Sequence, residues 1–174
     1  LCITPVSAPE NHYVHIKADN RLEADGTLRG TFILTAEGQS DSNIRRIFTT
    51  GFQSEWKSTM ERQLLAISPK ARLLSVDYGK NPKDYQAAPI KITFRYEIPD
   101  YALRGEGEMF FRPMVMNNLY NQVRSYMWID TSVENRKYGF KDGCSRLVEL
   151  DETIQLPAGY KLSLIHISEP TRPY

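Results

Sequence analysis

The chain has 174 residues, with 22 Lys+Arg against 21 Asp+Glu for a formal net charge of +1, and 41% of its residues are hydrophobic. So even a balance supplies no electrostatic pull toward nucleic acid or an anionic membrane; the apolar content excludes a disordered chain, and no apolar run is long enough to span a bilayer. Two cysteines, Cys2 and Cys144, make neither a disulfide framework nor a zinc site.

The chain opens on Leu1-Cys2-Ile3, with no Met and no charged segment leading an apolar one, so no signal peptide is visible. Residues 1–9, holding Pro5 and Pro9, read as a linker from an upstream domain. A hairpin follows, residues 13–22 and 28–37 around the turn Ala24-Asp25-Gly26-Thr27, because Asp-Gly between two alternating runs is a strong hairpin signal. Val14, Ile16 and Ala18 share one face with Leu28, Phe32, Leu34 and Ala36, leaving Lys17, Asp19, Arg29 and Thr31 outward.

Two helices come next. Asp41 is placed to cap a short one carrying Ile44, Ile47 and Phe48, and Ser54 to cap a longer one whose stripe is Trp56, Met60, Leu64 and Ile67, ended by Ser68-Pro69. Strands are then predicted over 71–78 and over 90–98, where Ile90, Ile92, Phe94, Tyr96 and Ile98 alternate with Lys91, Thr93, Arg95 and Glu97. Residues 79–89 form a polar loop, Gly105 and Gly107 punctuate another before Met109-Phe110-Phe111, and 126–130 is a weaker strand. The last strand, 147–156, puts Val148, Leu150, Ile154 and Leu156 on one face, which Glu152 interrupts. These elements predict a mainly β fold, antiparallel and sandwich-like, with one or two packed amphipathic helices.

Residues 162–172, Leu-Ser-Leu-Ile-His-Ile-Ser-Glu-Pro-Thr-Arg, resemble, codon for codon, a frame translation of a transposase-type sequencing adapter. The expected organisation is therefore a linker at 1–9, a β-rich domain at 10–161 that is cut short at its C-terminus, and a non-native tail at 162–174. His166, Ser168 and Glu169 are excluded from catalytic arguments on that reading. The last strand would then lack its native neighbour and leave an exposed edge.

Candidate chemistry is sparse. His12 and His15 are three apart, which on a strand sends them to opposite faces and prevents a shared metal. Cys144, between Lys141 and Arg146, has basic neighbours that favour a thiolate but no histidine placed beside it; it reads as a small buried or half-buried residue, with a redox or disulfide role, or a nucleophilic one, as alternatives. Glu106 and Glu108 flank Gly107 without the spacing of a calcium loop. Gly105-Glu106-Gly107 lacks the third glycine of a dinucleotide site. No catalytic, cofactor-binding or metal residue is therefore assigned. Tyr101, Phe110, Phe111, Tyr120, Tyr126 and Trp128 crowd the middle of the chain. They fit a core, and Tyr120, Tyr126 and Trp128 are also the residues with which a sugar-binding sandwich would present a platform.

Several phrases carry a family resemblance: Glu10-Asn11-His12-Tyr13-Val14, Thr35-Ala36-Glu37-Gly38-Gln39-Ser40, Ser75-Val76-Asp77-Tyr78-Gly79-Lys80-Asn81-Pro82, Glu134-Asn135-Arg136-Lys137-Tyr138-Gly139-Phe140, and Glu152-Thr153-Ile154-Gln155-Leu156-Pro157-Ala158-Gly159-Tyr160. With the strand from Ile90 to Pro99 they resemble the C-terminal β-rich domain of unknown function in large Bacteroidota proteins that carry a transglutaminase-like, cysteine-peptidase-like core upstream. Gly139 departs from the pattern, standing where such proteins often hold Pro. The resemblance covers residues 1–161 and implies a catalytic core outside this chain, so that Cys2, Cys144, His12 and His15 inherit no catalytic role. It further implies an exported protein of the periplasm or cell envelope, and a non-catalytic accessory domain whose partners are the upstream module and a protein, peptide or glycan ligand. A carbohydrate- or wall-polymer-binding module is the alternative.

Overall fold

The computed structural model describes residues 7–86, 89–115, 137 and 144–163. Its first strand, β1 (Tyr13–Leu22), pairs antiparallel with β2 (Leu28–Ala36) from Leu22 opposite Leu28 to Val14 opposite Ala36. The Asp25 carboxylate closes the turn by accepting the Thr27 N–H at 2.9 Å. Alternation then sorts the side chains as expected: Val14, Ile16, Ala18 and Leu22 are buried, whereas Lys17, Asp19 and Arg29 face solvent.

From β2 the chain turns at once into α1 (Gly38–Thr49). Asp41 does not cap this helix. Gly38, at φ 62°, lets the backbone turn immediately after the strand, and the Gln39 N–H is met by Nδ1 of His12 at 3.0 Å, so the helix starts before Asp41 is reached. A side chain at Gly38 would put Cβ 2.1 Å from the Asn11 carbonyl oxygen, so the close approach also requires glycine. The buried face of α1 is Ser40, Ile44, Arg45 and Phe48, and Ile47, expected inside, is 40% exposed. A 3-10 turn (Gln53–Glu55) leads into α2 (Trp56–Leu65) and absorbs Ser54, which therefore makes no cap either. Trp56, Met60 and Leu64 are buried along α2 as their spacing predicts.

The remaining strands are β3 (Arg72–Asp77), β4 (Ile90–Ile98), a two-stranded ribbon of β5 (Leu103–Arg104) and β6 (Met109–Phe110), and β7 (Leu147–Gln155). The main sheet has the order β3-β4-β2-β1-β7. The fold is mainly β with packed helices, as the pattern predicts, but the sheet is mixed. Neighbours are antiparallel except that β7 lies parallel to β1, from Tyr13 beside Leu147 to Arg21 beside Gln155. One face of the sheet is covered by α1 and α2, whose Ile44, Phe48, Trp56, Met60 and Leu64 join Ile16, Phe32, Ile92 and Phe94 in one core. Across that core Phe32 stacks on Phe94 at 4.2 Å between ring centres, and Phe48, Trp56 and Tyr78 meet edge to face. No helix among the described residues is long and apolar enough to cross a membrane. The predicted strand at 126–130 lies outside the described residues.

Candidate functional site

Two buried polar side chains among the described residues, Asn20 and Arg45, each centre a hydrogen-bonded network. The first lies on the helix-covered face of the sheet and starts from a glycine. Gly30 of β2 sits between Asn20 of β1 and Tyr96 of β4 in the cross-strand register. With no side chain there, the Asn20 amide lies across β2, its oxygen accepting the hydroxyl hydrogen of Tyr96; a Cβ on Gly30 would fall 1.9 Å from that oxygen. Asn20 Nδ2 in turn donates to Oε1 of Glu152 at 2.7 Å. Glu152 also accepts the main-chain N–H groups of Met114, at 3.1 Å on Oε1, and of Val115, at 2.9 Å on Oε2. Both residues are fully buried, so these two N–H groups have no water to fall back on. The interruption of the β7 face by Glu152 is thus the point where the last strand grips the segment after the ribbon.

Two tyrosines report on this environment. Burial raises the hydroxyl pKa of Tyr96 far above the ordinary phenol value, and the nearby Glu152 charge adds to the effect. Tyr101 is pushed up to about 12 by burial first and Glu152 second, and its hydroxyl donates to the Arg112 carbonyl at 2.6 Å. Above pH 10 the unfolded chain releases these protons while the folded chain retains them, so the stability they contribute below pH 10 declines as pH rises toward about 12 and beyond. The urea midpoint is therefore expected to fall on going from neutral pH through this window, and to fall less steeply in Tyr101→Phe. A flat midpoint across the window would contradict the arrangement.

The second centre is the guanidinium of Arg45, buried although it sits on a short surface helix. Its Nε donates to Oδ2 of Asp41 at 2.7 Å, and Nη1 donates to the carbonyls of Pro82 at 3.1 Å and Asp84 at 2.8 Å. Oδ1 of Asp41 accepts the Ile90 N–H at 2.7 Å. One ion pair therefore pins the middle of the connection between β3 and β4, and the first residue of β4, onto α1. Nearby, Trp56 Nε1 donates to the Phe48 carbonyl at 3.2 Å, and the Lys83 ammonium stands 5.7 Å from the Trp56 ring centre.

The histidines are occupied differently from a ligand pair. His12 belongs to a 3-10 turn (Pro9–His12) and serves the start of α1, while His15 faces the open side of the sheet with Nε2 2.8 Å from Oδ2 of Asp151 on β7. Cys144 is a free thiol, half-buried just before β7. Glu106 and Glu108 are exposed around the Gly107 turn, and no cluster of His, Cys, Asp and Glu suited to a metal occurs among the described residues. Of the crowded aromatics, Tyr101 and Phe111 pack on the core and Phe110 is exposed; Tyr120, Tyr126 and Trp128, the candidate sugar platform, lie outside the described residues, as do Cys2 and His166. The residues that the alternation pattern did not single out for a role are Asn20, Gly30 and Arg45. A polar residue at an inward position of β1, directly opposite a glycine, is the signal that could have found the first two.

No family model, no curated protein and no solved structure matches this chain.

Proposed function

We propose that the chain is a non-catalytic accessory domain of an exported bacterial protein, bracing a transglutaminase-like module or holding that module's protein or peptide substrate. The observation that supports this reading is the use made of Glu152. A general acid, base or nucleophile must present a free atom to a substrate. Here Glu152 has both oxygens committed to Asn20 and to the main chain of Met114 and Val115. His12 and Asp41 are likewise committed to backbone N–H groups, those of Gln39 and Ile90. Side chains that elsewhere do chemistry are spent on fixing loops against a sheet, which is what a rigid bracing surface needs.

The purified chain is expected to show no peptidase and no acyl-transfer turnover on peptide substrates. Turnover that disappears in Cys144→Ala would overturn the reading. A transglutaminase-like module expressed with this domain attached is expected to melt at a higher temperature than the same module alone; an unchanged melting temperature, with no change in substrate affinity, would also count against it.

A further inference from the structure

Among the described residues the main sheet ends on β3 at one side and on β7 at the other, and these two edges are built differently. The β7 edge carries Glu149 and Asp151 exposed on its open side, and a pair of carboxylates repels a second copy of itself. The β3 edge reads Arg72-Leu73-Leu74-Ser75-Val76-Asp77, with charges only at its ends and of opposite sign. Its pairing with β4 steps over Leu74, which bulges out of the ladder and is 57% exposed. A bulge is one way an edge is kept from pairing, but the residue it extrudes here is apolar, where an edge guarded by charge would carry Lys or Glu. Leu65, at the end of the helix that packs on β3, is 47% exposed as well.

We propose that β3 is a self-association edge, on which a second copy of this chain pairs antiparallel through its own β3 to make one continuous sheet about a two-fold axis. The register follows from the faces. Leu73 and Val76 sit opposite Tyr96 and Phe94, on the helix-covered side, whereas Arg72, Ser75 and Asp77 sit opposite Glu97, Arg95 and Thr93 on the open side. Strands pair with like faces together, because a slip of one residue turns each side chain to the wrong side. Setting Leu73 against the partner copy's Val76 satisfies this, and the same register sets Arg72 against the partner copy's Asp77, twice by symmetry. Both side chains can make that contact. Arg72 reaches Glu97 only at 3.4 Å, and Glu97 is already held by Arg29 at 2.8 Å; Asp77 uses Oδ1 for the Gly79 N–H and has Oδ2 left. The exposed Leu74 supplies apolar area at the new strand pair.

The test is a charge-swap mixture of the full chain, followed by sedimentation velocity over a concentration series. The wild type is expected to pass from monomer to dimer as concentration rises. Arg72→Asp places Asp against Asp at both contacts and Asp77→Arg places Arg against Arg, so each variant alone is expected to dimerise at least about tenfold more weakly. Mixed together, the two restore both opposite-charge contacts and are expected to form a heterodimer with affinity near that of the wild type. Formation of the heterodimer also shows that each variant is folded. Leu74→Lys, at a site exposed in the monomer, is expected to abolish the dimer while leaving the circular dichroism spectrum unchanged. A wild type that stays monomeric at its highest soluble concentration overturns the proposal. So does a dimer insensitive to either charge reversal, or a mixture that fails to associate although both variants keep the wild-type spectrum.

Discussion

Arg45→Met is expected to destabilise the fold by about 3–5 kcal/mol, the usual consequence of removing one partner from a buried ion pair. Methionine fills much of the volume but donates nothing. The Pro82 and Asp84 carbonyls lose their donor, and Asp41 keeps its charge beside the Ile90 N–H with no cation against it. In urea this corresponds to a midpoint lower by roughly 1–3 M. Arg45→Lys is expected to fall between, because one ammonium cannot reproduce the planar fork that serves a carboxylate and two carbonyls at once. The double variant Arg45→Met with Asp41→Asn is expected to lose less than the sum of the single changes, since the stranded charge is gone. A loss below about 1 kcal/mol in Arg45→Met, or strict additivity in the double variant, would show that the pair does not anchor the β3–β4 connection.

Gly30→Ala is the second large effect expected, about 2–4 kcal/mol, from a methyl group in the middle of a strand where alanine is ordinarily the better residue. The added Cβ would lie 1.9 Å from the Asn20 amide oxygen and 2.8 Å from the Asp19 carbonyl oxygen, so the amide has to leave. Tyr96 then keeps a buried hydroxyl without its acceptor, and Glu152 loses one of its donors. Because the damage is transmitted through Asn20, Asn20→Ala followed by Gly30→Ala is expected to cost less than the two changes measured apart. Urea unfolding of the four proteins completes the cycle. Additive losses would mean that the strand backbone at Asp19, and not the side-chain chain to Glu152, is what rejects the methyl group.

These two sites also mark where reading the residues in order stops working. β1, β2 and β4 are legible because a period of two repeats over nine or ten residues in each and fits one half-covered sheet. The stripe of α2 is legible for the same kind of reason. The start of α1 is not, since its first donor is met by His12, a residue separated from it by the whole hairpin. Ile47, expected inside, is exposed while Arg45 is buried, because the loop that covers Arg45 comes from beyond β3 and offers it backbone carbonyls. Glu152 is visible in sequence as a break in a pattern, but its partners lie on β1 and on the segment after the ribbon, and nothing local joins them. The sense of the β1–β7 pairing is hidden too. Alternation is identical in parallel and antiparallel strands, and the choice is made by how the intervening chain crosses the sheet.

That parallel pairing determines how the domain bears mechanical load. In a covalently linked chain, tension enters at the leading end of β1 and leaves at the trailing end of β7. Those ends point in opposite directions along two adjacent parallel strands, hydrogen-bonded from Tyr13–Leu147 to Arg21–Gln155. Pulling therefore slides one strand along the other and loads the ladder all at once, whereas an antiparallel pair pulled from the same side would peel open one bond at a time. The Asn20–Glu152 contact crosses the same seam and shares the shear. A domain threaded this way resists extension along the line from the start of β1 to the end of β7.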